Sequence, residues 1–246
     1  MKSARSAALA AVLLIAAPEF AAAQGIPLPQ PAPRSRNQPA RAPALPTDAA
    51  GRPIPVRPSG ESAPYDGSQS QRAIVDRVST YLSSLQSLIG DFVQIGPDGG
   101  RTVGKFYIQK PGRVRFEYNP PSPIDVISDG TSVAVRDRDL NTQDLWPLSQ
   151  TPLRFLLAER VDILRDTNLV AVSSDDTFVT AVIEEKQAMA GTSRLMVMFG
   201  AKDFQLKQWT VRDPQGFDTT VAVYNLDTSK QPDPSLFKIN YERLVQ

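Results

Sequence analysis

Polar and apolar residues sort first into a helical pattern near residue 70 and then into alternating patterns that run almost to the end of the chain. Ile74, Val78, Tyr81, Leu82, Leu85, Leu88 and Ile89 recur at helical spacing, with Arg72, Asp76, Arg77, Ser83 and Ser84 on the other side. This predicts an amphipathic helix, opened by a capping box of Ser68 and Gln71 and stopped at Gly90. Its stripe must lie on something apolar. From Asp91 the period falls to two. Strands are predicted over 91–95, 101–109, 113–118, 124–128, 132–137 and 141–146. Between them stand Gly96-Pro97-Asp98-Gly99-Gly100, Lys110-Pro111-Gly112, the Pro-rich break at 119–123 and the hairpin turn Asp129-Gly130. The strand at 113–118 alternates cleanly, with Val114, Phe116 and Tyr118 on one face and Arg113, Arg115 and Glu117 on the other. Thr151 can then cap a short helix, with Pro152 in its first turn and Leu153, Phe155, Leu156 and Leu157 following. A helical turn at 162–168 leads to strands over 169–173, 177–184, 194–199, 204–212 and 219–226.

The short turns favour antiparallel meanders over parallel β-α-β units. The predicted class is α+β, mainly β: a large, strongly curved antiparallel sheet forming an unclosed half-barrel. An N-terminal helix and a short mid-chain helical lid cover it. A sheet of so many strands must curl or split. Phe106, Ile108, Val114, Phe116, Ile124, Val126, Val133 and Val135 would line its concave face. Such a face is either an ordinary core closed by the helices or the wall of a ligand cavity. Met189, Met196 and Met198 cluster near the apolar run 195–199, either as gap-fillers or as an adaptable surface for apolar guests. Lys110, at the turn before Pro111, is either a solvated cation or a donor that latches the backbone of the lid.

Ahead of this domain (69–246) the chain is of two kinds. Lys2 and Arg5 precede an apolar run at 7–17, and Ala21-Ala22-Ala23 offers a cleavage site: a secretory signal over 1–23, too short to span a bilayer. Residues 24–68 hold half of the 22 prolines and predict a disordered or polyproline-II spacer. The expected destination is the periplasm, with the signal removed near Ala23.

Composition removes much chemistry. The chain has no cysteine and no histidine, which excludes disulfides, Ser-His-Asp and Cys-His catalysis, and zinc or haem held by those side chains. With 27 basic and 26 acidic residues it has no electrostatic footprint for nucleic acid. Asp137, Asp139 and Asn141 start like a calcium loop, but Thr142 and Leu148 stand where glycine and glutamate are needed. Glu184 and Glu185 should point to opposite faces of one strand and so cannot flank one bond. No enzyme, no cofactor and no metal are expected.

The segment 104–118, Gly-Lys-Phe-Tyr-Ile-Gln-Lys-Pro-Gly-Arg-Val-Arg-Phe-Glu-Tyr, resembles the signature hairpin of the periplasmic outer-membrane lipoprotein carriers, the LolA family. Val126-Ile127-Ser128-Asp129-Gly130, the Phe92-Val93-Gln94 after the first helix, and Pro152-Leu153-Arg154-Phe155-Leu156-Leu157 at the place of the lid also match, so that the resemblance covers roughly 70–240. It implies an unclosed barrel whose cavity holds the acyl chains of lipoproteins and shuttles them from the inner to the outer membrane. On that reading Phe92, Phe106, Ile108, Val114, Phe116, Leu153, Phe155, Leu156, Leu195, Val197 and Phe199 form cavity and lid. The implied partners are acylated lipoproteins, an inner-membrane lipoprotein-releasing transporter and an outer-membrane acceptor, served by a monomer. The family usually latches its lid with an arginine before the hairpin proline; Lys110 occupies that place and lacks the planar fork of arginine. A periplasmic sensor, or a carrier of a glycolipid or phospholipid, are the alternatives on the same fold.

Overall fold

A computed structural model describes residues 45–56, 63–187 and 191–241, with the side chains of Leu153 and Gln187 excepted. The signal-like segment 1–23 and Met189 lie outside the described residues. Helix α1 (Gln69–Ser84) is followed by six strands, β1 (Ser87–Ile95), β2 (Arg101–Gln109), β3 (Arg113–Tyr118), β4 (Ile124–Asp129), β5 (Ser132–Asp137) and β6 (Thr142–Pro147). A 3-10 turn at Leu148–Gln150, α2 (Leu153–Leu157) and α3 (Ile163–Asp166) make the crossing to β7 (Asn168–Ser174), β8 (Phe178–Gln187), β9 (Gly191–Gly200), β10 (Leu206–Arg212) and β11 (Asp218–Asp227).

These form one 11-stranded sheet in the order β6-β5-β4-β3-β2-β1-β11-β10-β9-β8-β7. Every pairing is antiparallel. Two meanders start from neighbouring central strands and run outward, so the sheet stays open between β6 and β7. The helical connection is what spans that gap. Among the described residues no helix is long and apolar enough to cross a membrane.

The concave face carries the core. Phe92, Phe106, Phe116 and Val126 are fully or almost fully buried and belong to one cluster with Val75, Val78 and Leu82 of α1, Leu157 of α2 and Ile163 of α3. Helix α1 therefore seats its stripe on the sheet as its pattern requires, with Val75 added to the expected positions. At its start, Ser68 Oγ accepts from Gln71 N (3.4 Å), but Gln71 Oε1 accepts from Asp66 N (2.8 Å) rather than from Ser68, so only one arm of the capping box forms.

The helix ends earlier than its periodicity suggests. Leu88 and Ile89 pair with Ile108 and Tyr107 and open β1, because Leu88 fits the helical stripe at i+3 from Leu85 and equally the inward face of a strand at i−4 from Phe92. Gly90 is consequently no helix stop. It lies within β1 opposite Phe106, where a Cβ would come 2.7 Å from the Phe106 ring. Likewise Thr151 does not cap α2: its hydroxyl donates to Leu148 O (2.9 Å), and Pro152 takes the N-cap position.

Part of the convex face is covered too. The Pro-rich stretch, read from composition as a spacer, packs against the sheet where it is described. Gln208, only 1 % exposed, accepts from Val56 N (2.9 Å) and donates to Val56 O (2.6 Å). Leu45 packs with Met198 and Ala222, and Arg101 reaches Asp48 (2.8 Å). Ala63 and Tyr65 then bond to Val172 and Val170, which occupies the outer edge of β7. Met198 faces this strap, on the side of its strand opposite Leu195, Val197 and Phe199, so it does not face the interior.

Candidate functional site

Where α1, α2 and the concave face meet, a cavity of about 20 Å³ remains, lined by Leu82, Leu85, Leu88, Ile108, Lys110, Val114, Phe116, Leu156, Leu157, Leu206 and Trp209. That is room for one water-sized group. In this closed form the protein's own side chains fill the interior. No acyl chain fits without movement of the helices.

Strand alternation explains the lining. Ile108, Val114 and Phe116 are inward positions of a tight hairpin, with Phe106 stacked on Phe116 at 5.9 Å. A register shift between Leu206 and Gln208 lets Leu206 and Trp209 point to the same side although they are three apart. Of the residues predicted from sequence, Ile108, Val114, Phe116, Leu156 and Lys110 line the cavity. Phe92, Phe106, Phe155, Leu195, Val197 and Phe199 lie in the surrounding core cluster. The side chain of Leu153 lies outside the described residues. Sequence reasoning missed Leu82, Leu85, Leu88, Leu157, Leu206 and Trp209 as lining residues. Trp209 was accessible to it, because Trp209 and Val211 alternate with Gln208 and Thr210.

The helical cover is held by a few polar contacts at its margin. Lys110 Nζ donates to Leu82 O, in the last turn of α1, at 2.5 Å, and Lys110 N donates to Gln86 O at 2.8 Å. Gly112 N donates to Leu157 O at the end of α2 (2.9 Å). Ser83 Oγ accepts from Val161 N (2.9 Å), and Ser79 Oγ accepts from Ile163 N (3.2 Å), tying α1 to the segment before α3. Arg154 pairs with Glu185 of β8 at 2.8 Å while stacking on Phe155. Glu184 pairs with Arg194 instead, as its opposite orientation requires.

Lys110 is 8 % exposed, and burial lowers its pKa from 10.5 to about 8. Ten of the eleven lining residues are apolar, and none offers it a counter-charge. What an almost wholly apolar lining can do is exchange apolar surface with a guest. Among the described residues no group of three metal-ligating side chains assembles.

The chain matches the family model described as outer membrane lipoprotein carrier protein LolA over residues 83–240. It is 26 % identical over 179 residues to an outer-membrane lipoprotein carrier protein of Methylobacillus flagellatus, covering 70 % of this chain and 84 % of that one. The carrier of Methylococcus capsulatus is 28 % identical over 182 residues, covering 70 % and 86 %. A solved LolA superfamily protein from Nitrosomonas europaea aligns with a TM-score of 0.39 and 11 % identity over 70 % of this chain and 98 % of its own. With the hairpin, the open sheet and its helical cover in their expected places and most of the domain matched, the chain belongs to the LolA family of outer-membrane lipoprotein carriers.

Proposed function

We propose that this protein binds the acyl chains of lipoproteins beneath its helical cover and carries them through the periplasm from the inner to the outer membrane. The observation that carries this reading is an apolar seam between sheet and helices that is closed by a small set of marginal hydrogen bonds. Carriers of this family are periplasmic binding proteins and not enzymes. An inner-membrane lipoprotein-releasing transporter would load it, and an outer-membrane acceptor would unload it.

Energetics require the closed state. Burying roughly 45 methylenes of a triacylated lipoprotein at about 0.8 kcal/mol each would exceed 30 kcal/mol measured against water. That is beyond the practical ceiling of about 21 kcal/mol for non-covalent binding, and cargo so held could not be released. A carrier must set part of that gain against the work of opening. Here the work is the separation of α1 and α2 from the sheet and the loss of the packing that fills the cavity. The protein's own leucines act as a competing guest.

The test is recovery of the protein from its native periplasm under mild conditions, followed by mass spectrometry of what accompanies it. Acylated lipoprotein is the expected companion. Protein recovered with a glycolipid or phospholipid would redirect the assignment, and protein recovered bare from cells rich in lipoprotein would overturn it.

Lys110 gives the cover a pH dependence. With the cover open, the ammonium is solvated and ionises near its ordinary 10.5; with the cover closed it ionises near 8. Between those values the open form holds more protons, so closure gains as pH rises, by at most about tenfold in its equilibrium constant per pH unit. Below pH 8 the closed form bears the full cost of the buried charge. Uptake of a fluorescent apolar dye is therefore expected to be level below pH 8 and to fall between pH 8 and pH 10.5. Lys110→Met removes the titrating group and should flatten that profile; a wild-type profile that is already flat would remove Lys110 from the latch.

A further inference from the structure

Two of the residues that line the cavity carry donors, and none carries a side-chain acceptor. Trp209 is 2 % exposed, and its indole Nε1 has no hydrogen-bond partner among the described residues. Lys110 uses one ammonium proton on Leu82 O and has others to spare. The remaining nine lining residues are leucine, isoleucine, valine and phenylalanine. A buried N–H without an acceptor costs about 1–3 kcal/mol, and an indole N–H can only donate. Apolar packing alone does not require this arrangement. A phenylalanine at 209 would present a similar ring to Phe116, which meets Trp209 edge-on at 6.2 Å, without stranding a polar atom.

We propose that Trp209 Nε1 is a ligand-contacting donor, and that the guest places a carbonyl oxygen beside it: an ester- or amide-linked acyl chain or a fatty carboxylate, rather than a bare hydrocarbon tail. This rests on the reading of the chain as an acyl carrier and adds to it a polar contact that fixes how deep the chain sits. A hydrocarbon fills space anywhere along an apolar slot. A carbonyl has one place where its oxygen is met by a donor. In surroundings this dry, the bond is formed where water cannot compete for either partner.

The test is displacement of a bound fluorescent dye by methyl palmitate and by n-heptadecane, from the full chain and from Trp209→Phe. The substitution is expected to weaken the ester about tenfold more than the alkane, the effect of one buried hydrogen bond. Weakening of the alkane equal to that of the ester, of N-methylpalmitamide and of palmitate alike overturns the proposal while leaving acyl carriage in place. Displacement by neither lipid from the unaltered protein overturns both. Because the substitution also changes core packing, a second measurement uses the unaltered protein: the carbonyl stretch of bound, carbon-13-labelled methyl palmitate. A band below its position in hexane supports the contact; a band at the hexane position overturns it. N-methylpalmitamide and palmitate in the same displacement assay show which carbonyl the site favours, and a Trp209-dependent advantage over the alkane for any of them supports the contact.

Discussion

Phe116→Ala is expected to lower the unfolding free energy by about 3–5 kcal/mol, and an acyl ester is expected to restore much of that loss. Phe116 is 1 % exposed and touches Phe92 (5.3 Å) and Phe106 (5.9 Å) as well as Trp209. Truncation removes its transfer free energy and leaves a void that neighbours refill only in part. At about 2–4 °C per kcal/mol for a domain of this size, the melting temperature should fall by about 10 °C. The void would be continuous with the existing cavity, which Phe116 lines. A ligand that binds only the native state at a hundred times its dissociation constant adds about 2.7 kcal/mol. Saturating methyl palmitate should therefore raise the melting temperature of the variant more than that of the unaltered protein. Equal rises would place the guest somewhere other than this seam.

Gly104→Ala is expected to be nearly as costly, for a reason that lies in the backbone. A Cβ at Gly104 would sit 2.0 Å from Glu117 O, 2.9 Å from Glu117 C and 2.8 Å from the Phe92 ring. The first two contacts belong to the facing strand, since Gly104 pairs with Tyr118 in the β2–β3 ladder. They cannot be relieved by a rotamer change; β3 would have to move away from β2. A loss of about 3 kcal/mol or more follows, at the upper end of overpacking effects. Gly90→Ala is the internal comparison. Its added atom would meet the ends of Phe106 and Leu226 side chains, which can turn aside. Chemical denaturation of the two variants should rank them in that order, and equal costs would refute the distinction between backbone and side-chain clashes.

The strands were legible because one face of the sheet is buried and the other mostly is not. That condition writes a period of two into β3 and, less perfectly, into β2 and β9. The boundary between α1 and β1 was not legible: Leu88 continues the helical stripe from Leu85 and also the inward strand face shared with Phe92, and only the pairing with β2 decides between them. The Pro-rich strap carries no periodicity at all. Its place is set by single matches, Val56 to Gln208 and Leu45 to Met198, that no local pattern announces. Half of the cavity wall escaped notice for a related reason. Leu206 reaches the inside through an irregularity in the ladder, and the α1 leucines were read as core rather than as lining. Lys110 was singled out by its position before Pro111. Its partner on α1 emerges only in three dimensions.

The order of the strands has a mechanical meaning. Because β1 and β11 lie side by side at the centre, the chain folds like a book whose spine is that pair and whose covers are β2–β6 and β7–β10. Residues 148–166 form the clasp joining the two outer margins. Spreading the covers by a change of twist breaks no rung of any ladder, which a fully closed barrel could not do. The same movement would draw the clasp outward, so a force that pries the margins apart would also unseat α2, and reclosure would need only the sheet's native twist to return.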